Sequence, residues 1–185
     1  MLNRMTMFVA LMQLGPVPQA AALLPSPEVD ACLQAAAAKH GISYVLLRAI
    51  SEQESGFNPR ALGKNSNGSY DMGLMQINSA WLPTLQKYGI KAADLYEPCV
   101  SADVSAWLLA SNFKSMGVTW RAVGAYNAGT EWKRVRYAVS VHSRIQKYLQ
   151  GAGRASALPA QTPVPSTQEA SVAQGSMVAW EGEHE

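Results

Sequence analysis

Ile50-Ser51-Glu52-Gln53-Glu54-Ser55-Gly56-Phe57-Asn58-Pro59, followed after a polar stretch by Met72-Gly73-Leu74-Met75-Gln76-Ile77-Asn78, decides how the rest of the chain is read. Leu46, Ile50 and Glu54 recur at i, i+4 and i+8, so one helical stripe carries two apolar side chains and then a carboxyl. Glu54 therefore continues an apolar face and is expected to be partly buried. Desolvation disfavours its charged form and raises its pKa, as a general acid requires. Glu52 lies on the other side of that helix, four residues after Arg48, and reads as a solvated surface pair. Gly56 stops the helix and Asn58-Pro59 turns the chain. Downstream, Gln76 and Asn78 stand beside apolar residues and offer paired donors and acceptors.

Helical patterns lie on both sides. Ser26 caps a first helix with Pro27 in its first turn, an inner stripe of Val29, Cys32, Leu33, Ala36 and Ala37, and Gly41 as its stop. Ser43 is placed to cap the helix that ends near Ser55. The segment Gly63 to Tyr70 is a short hairpin, an ordered loop or a mobile one, which the pattern does not separate. A short helical piece reaches Tyr88 and stops at Gly89. A longer helix runs from about Val100 to Met116, with Val100, Val104, Trp107, Leu108 and Ser111 facing inward. Thr119 caps a short helix carrying Val123 and Tyr126. The last helix runs from about Glu131 to Leu149, with Trp132, Val135, Val139 and Ile145 inward and Lys133, Arg134, Arg144 and Lys147 on its polar side. The fold class is thus mainly α, a single helical domain with a cleft and a short hairpin or ordered loop.

Net charge is only +2, but it is unevenly spread. After Arg154 there are four acids, Glu169, Glu181, Glu183 and Glu185, and no Lys or Arg, so the body is more basic than the total. A basic body suits an anionic polymer or is simply a solvated surface. Basic residues spread over several elements, without a reader motif, argue against nucleic acid. Residues 1–22 read as a secretory signal peptide: Arg4, an apolar run from Met5 to Leu14, and small residues at Ala20-Ala21-Ala22. The run is too short to span a bilayer once matured, so no stable membrane span is expected after cleavage. The mature chain is then exported, periplasmic or cell-wall associated. Export makes a disulfide the natural state of Cys32 and Cys99, with two buried thiols as the alternative. His40, His142 and His184 are scattered, and no metal site is read from them. Residues 23–150 form the domain, and 151–185, rich in Pro, Ala, Ser and Gln, a disordered tail.

A third motif, Ala125-Tyr126-Asn127-Ala128-Gly129, completes an ordered set with Glu54-Ser55-Gly56-Phe57-Asn58-Pro59 and Gly73-Leu74-Met75-Gln76-Ile77-Asn78. The three together resemble the signature of lytic transglycosylases with a goose-type-lysozyme-like catalytic domain. The likeness covers roughly Asp30 to Tyr148 and is greatest to the small specialised members that serve secretion, conjugation and pilus systems. Ser43-Tyr44 stands where many relatives begin the catalytic helix with Pro, and Asp71-Met72 before Gly73 fits the specialised members.

The resemblance implies cleavage of the β-1,4 bond between N-acetylmuramic acid and N-acetylglucosamine in peptidoglycan, with a 1,6-anhydro product and no cofactor. It implies Glu54 as catalytic acid and base, Ser55 as the residue that orients it, and Gln76, Asn78, Tyr126 and Asn127 as substrate-binding residues. It also implies a cysteine pair placed like Cys32 and Cys99. Expected partners are peptidoglycan glycan strands and components of a secretion, conjugation or pilus machine. Two other readings stay open: a hydrolytic lysozyme using Glu54 and Asp71, and a non-catalytic wall-binding subunit.

Overall fold

A computed structural model describes residues 24–156, with side chains to residue 151. The signal peptide read over 1–22 lies outside the described residues, as does the tail read over 151–185 except for residues 151–156, which continue the last helix and are not a disordered stretch. The helices are α1 (Pro27–His40), α2 (Tyr44–Ser55), α3 (Leu82–Leu85), α4 (Pro98–Met116), α5 (Trp120–Gly124) and α6 (Glu131–Ser156). Three short strands, β1 (Leu62–Lys64), β2 (Tyr70–Met72) and β3 (Ile77–Asn78), form an antiparallel sheet in that order. The segment from Gly63 to Tyr70 is thus a hairpin. The described residues are thus mainly helical with one small sheet, as expected from the sequence.

α1 follows its sequence pattern closely. The Ser26 hydroxyl accepts from the Val29 N–H at 3.2 Å, all five residues of the inner stripe are buried, and Gly41 ends the helix at φ 64°. Ser43 stands at the start of α2 but makes no side-chain capping bond, so that helix begins without the expected cap. α4 runs through the centre. Its buried residues are Ser101, Ala102, Val104, Ser105, Ala106, Leu108 and Leu109, so it has no single inner stripe. Trp107 is only half-buried and Ser111 is exposed, contrary to the expected face, because neighbours surround the helix and small side chains let them approach. Cys32 of α1 and Cys99 at the start of α4 are joined by a disulfide, with Cα atoms 4.6 Å apart.

α6 corrects the sequence reading most. Trp132, Val135 and Val139 are 63%, 54% and 59% exposed, whereas Tyr137, Ala138 and Val141 are buried. Both sets recur at helical spacing, and periodicity alone cannot say which one meets a partner. Of the expected inward residues, Ile145 alone packs against the core, partly buried. Arg134 and Arg144 are half-buried rather than on a solvated side. The helix also continues past Leu149 to Ser156.

Packing of α6 on α2 also redefines Glu52. Its side chain is 20% exposed, accepts a hydrogen bond from the Tyr148 hydroxyl and lies 3.8 Å from Arg144 Nε. Arg48 instead places its guanidinium 4.1 Å from the centroid of the Tyr148 ring, a cation–π contact. The Arg48–Glu52 surface pair expected from spacing does not form.

Candidate active site

α2 delivers Glu54 to the wall of a cleft of about 660 Å³. The last helical turn is followed by two residues in left-handed conformation, Gly56 at φ 61° and Phe57 at φ 66°. A buried non-glycine residue at positive φ is strained, and the buried Phe57 ring holds this reversal in place. The opposite wall comes from the sheet and the segment after it. Gly73 makes that approach possible: at φ 73°, a Cβ there would lie 1.8 Å from the Leu95 carbonyl oxygen. The loop after α5, from Ala125 to Gly129, and the start of α6 close the third side. There Gly124 meets α6 so tightly that a Cβ would fall 2.4 Å from the Arg134 carbonyl oxygen.

Glu54 is half-buried and its carboxyl is pushed up from 4.5 to about 7. Burial, which penalises the charge, is the largest cause, and the negative charge of Asp71 adds to it. The Tyr137 hydroxyl donates to Glu54 Oε1 at 2.5 Å and, with the Arg144 charge, pulls the other way. Near neutral pH this carboxyl is thus poised between proton donor and proton acceptor. Tyr137 was not singled out by sequence reasoning. Its only signal there is membership of the Tyr137–Val141–Tyr148 stripe, which competes with Trp132–Val135–Val139. Burial and the neighbouring Glu54 hold its phenol well above the ordinary range, so it stays a donor.

The structure gathers most of the expected residues, in differing roles. Gln76, Asn78, Tyr126, Asn127 and Asp71 line the cleft with Glu54. Gln76 sits at φ 49°, and its Nε2 donates to the Gly73 and Ala61 carbonyls at 3.0 and 3.2 Å. Asn78 is occupied by the protein: Nδ2 donates to Asp71 Oδ1 at 2.6 Å and Ser69 Oγ at 3.0 Å, and Oδ1 accepts from the Ala80 N–H. Its amide positions Asp71 rather than reaching freely into the cleft. Asp71 Oδ2 also accepts from Asn65 Nδ2 at 2.8 Å.

Tyr126 donates to the Met75 carbonyl at 2.9 Å and stacks on Tyr137 with centroids 6.4 Å apart. Asn127 is exposed in the cleft, and among the described residues its side chain has no hydrogen bond partner. Ser55 does not reach Glu54. Its hydroxyl donates to the Leu74 carbonyl at 2.6 Å and accepts from the Asn58 N–H at 3.1 Å, tying the helix end to the sheet-side segment. Any orientation of Glu54 by Ser55 is therefore indirect. Among the described residues, no group of His, Cys, Asp and Glu side chains could hold a metal ion, and no helix is long and apolar enough to cross a membrane.

A family model described as the transglycosylase SLT domain matches residues 31–148. The chain is similar to the invasion protein IagB of Salmonella typhimurium, 47% identical over 107 residues, spanning 55% of this chain and 67% of that protein. It is also similar to protein IpgF of Shigella flexneri, 42% identical over 118 residues, spanning 61% of this chain and 78% of that protein. Among solved structures, an inactive mutant of the lytic transglycosylase Slt from Pseudomonas aeruginosa superposes with a TM-score of 0.54 at 24% identity. That likeness, which is one of fold, takes in 66% of this chain and 24% of the other, longer one.

Proposed function

The chain belongs to the transglycosylase SLT domain family and is a peptidoglycan lytic transglycosylase, and from that premise we propose how its own residues carry out the reaction. Glu54 is the single acid and base. Protonated, it donates to the glycosidic oxygen between N-acetylmuramic acid and N-acetylglucosamine as the bond from that oxygen to the muramyl anomeric carbon breaks. The positive charge that builds there is met by the carbonyl oxygen of the sugar's own N-acetyl group. Glu54, now a carboxylate, takes the proton of the muramyl 6-hydroxyl, and that oxygen bonds to the anomeric carbon. The product is a 1,6-anhydro sugar, no water is consumed, and Glu54 ends protonated as it began.

The observation that carries this reading is the Glu54 carboxyl, raised to about 7 in a cleft and oriented by the Tyr137 hydroxyl. Gln76, through the side-chain oxygen that remains once its Nε2 is committed to Gly73 and Ala61, and Asn127 bind the acetamido and hydroxyl groups of the strand. Tyr126 and Ser55 hold the loops that shape the site, and Asn78 fixes Asp71. Residues 1–22 direct export and are removed, 23–150 form the catalytic domain, and the protein acts outside the cytoplasm. There it opens the wall locally for a secretion, conjugation or pilus apparatus, a role in keeping with its likeness to an invasion protein.

Asp71 keeps one rival in view, because it shares the cleft with Glu54 as the second carboxylate of a hydrolase would. Digestion of purified sacculi, with muropeptides separated by mass before and after borohydride, tests the two. Anhydro ends, lighter by one water and inert to borohydride, are expected. Predominantly reducing muramyl ends would make the enzyme a lysozyme.

A further inference from the structure

Trp81 joins the cleft to a further pair of aromatic rings. That side chain lines the cleft and is 42% exposed, and its ring stands edge-on to Trp107 with centroids 6.2 Å apart. Trp107 in turn stands edge-on to Tyr88 at 6.0 Å, and Tyr88 is 70% exposed. Trp107 and Tyr88 line a separate pocket of about 240 Å³, with Leu85 and Ile90 as its apolar floor. Its rim is charged: Asp103 takes Lys39 Nζ on one carboxylate oxygen and His40 Nε2 on the other, both at 2.8 Å. A run of aromatic rings therefore leads from the cleft into a second concavity with donors and acceptors at its edge.

A lone exposed Tyr is ordinary, but Tyr88 lies beside Trp107 in one concavity with an apolar floor, the kind of lining that takes a ligand. The Trp81–Trp107 and Trp107–Tyr88 spacings are those of edge-to-face aromatic pairs, so the three rings hold one another in place. Sugars present an apolar C–H face and a polar hydroxyl edge. Aromatic side chains match the first, and a fixed carboxylate with a lysine beside it matches the second. The alternative, that the three rings merely pack the segment Ser79–Tyr88 onto α4, accounts for Trp107 but leaves Tyr88 exposed.

We propose that this pocket is a second saccharide platform, which holds the glycan strand where it leaves the cleft beyond Trp81. The occupant is a continuation of the strand being cut, so the platform rests on the reading of the cleft as a glycan site. It favours long strands over short fragments, because only a strand that extends past Trp81 reaches Tyr88.

The test compares the unsubstituted chain with Tyr88→Ala, a change at an exposed side chain outside the catalytic cleft. Cleavage is measured on long glycan strands and on a tetrasaccharide fragment. Binding of a tetramer and an octamer of β-1,4-linked N-acetylglucosamine to the Glu54→Gln chain, with and without Tyr88→Ala, is measured by calorimetry. Tyr88→Ala is expected to lower kcat/KM on long strands and octamer affinity by about five- to tenfold, the scale of one lost aromatic contact. Tetrasaccharide cleavage and tetramer affinity stay unchanged. Equal losses on short and long ligands, or no loss on either, overturn the platform. Failure of the unsubstituted chain to cleave either substrate would count against the catalytic reading instead, and the octamer-to-tetramer affinity ratio would still decide the platform.

Discussion

Replacing Tyr137 by Phe isolates the hydrogen bond that holds the Glu54 carboxyl. The ring stays, so its burial against the core and its stacking on Tyr126 are kept, and one hydroxyl is removed. A hydrogen bond to a charged group contributes about 1.5–3 kcal/mol, and the protonated carboxyl retains part of it. The net preference for the carboxylate is then of the order of 1.4 kcal/mol, or about one pH unit. Because the bond favours the charged form, losing it moves the carboxyl further up from about 7. Catalysis needs the proton at the start of each turnover, so kcat/KM falls as pH rises through that value. The alkaline limb of the profile should therefore shift upward by about one pH unit, while kcat on the acid side falls because the carboxyl is less well oriented. Release of soluble muropeptides from sacculi across the pH range measures both, with circular dichroism as the check on folding. A limb that stays in place or moves to lower pH would refute the assignment of Tyr137 as the partner that stabilises the carboxylate.

Glu54→Gln should abolish wall cleavage and also change the pH dependence of stability. The folded carboxyl, raised from 4.5 to about 7, binds its proton more tightly than the unfolded one. Its favourable contribution is full below about 4.5 and is lost as pH rises through about 7, a difference of about 3 kcal/mol. Denaturant unfolding should find Glu54→Gln gaining on the parent above pH 7 and matching it in acid; parallel curves would show that Glu54 is not desolvated. Asp71→Asn should keep substantial activity and move the alkaline limb to lower pH, since a negative charge that raises the Glu54 carboxyl is gone; loss of activity together with reducing ends would make Asp71 a catalytic carboxylate. Joint replacement of Cys32 and Cys99 by Ser opens a link across 67 residues and should cost about 4 kcal/mol in the chain-entropy account, read as a lowered thermal midpoint.

The elements that could be read locally are those whose instructions are local. α1 is set by Ser26, Pro27, an unbroken apolar stripe and Gly41, all within one stretch of chain, and it forms as its pattern predicts. Glu54 at the end of the Leu46–Ile50 stripe is a statement about one helix, and its half-buried carboxyl needs no knowledge of what covers it. The cleft residues Gln76, Asn78, Tyr126 and Asn127 were named through three short motifs, and they share one cleft with Glu54.

Choices between equivalent faces had to wait for tertiary packing. α6 carries two stripes at the same period, and only its docking against α2 and α5 buries Tyr137 and Val141 and leaves Trp132, Val135 and Val139 in water. The contact with α2 turns Glu52 from a presumed surface residue into the acceptor of Tyr148, and brings Tyr137 to Glu54 across 83 residues. Ser55 and Asn78 likewise have chemistry visible in sequence, but their partners are a carbonyl at Leu74 and a carboxylate at Asp71 set by the sheet. The sequence by itself determined a helical domain, one carboxyl at the end of an apolar stripe and the amides destined for its cleft, because helical periodicity and capping act over a few residues. The packed chain alone decided which hydroxyl holds that carboxyl and which apolar face stays exposed. Hydrogen bonds and burial across long separations depend on how helices dock, which no short window of residues contains.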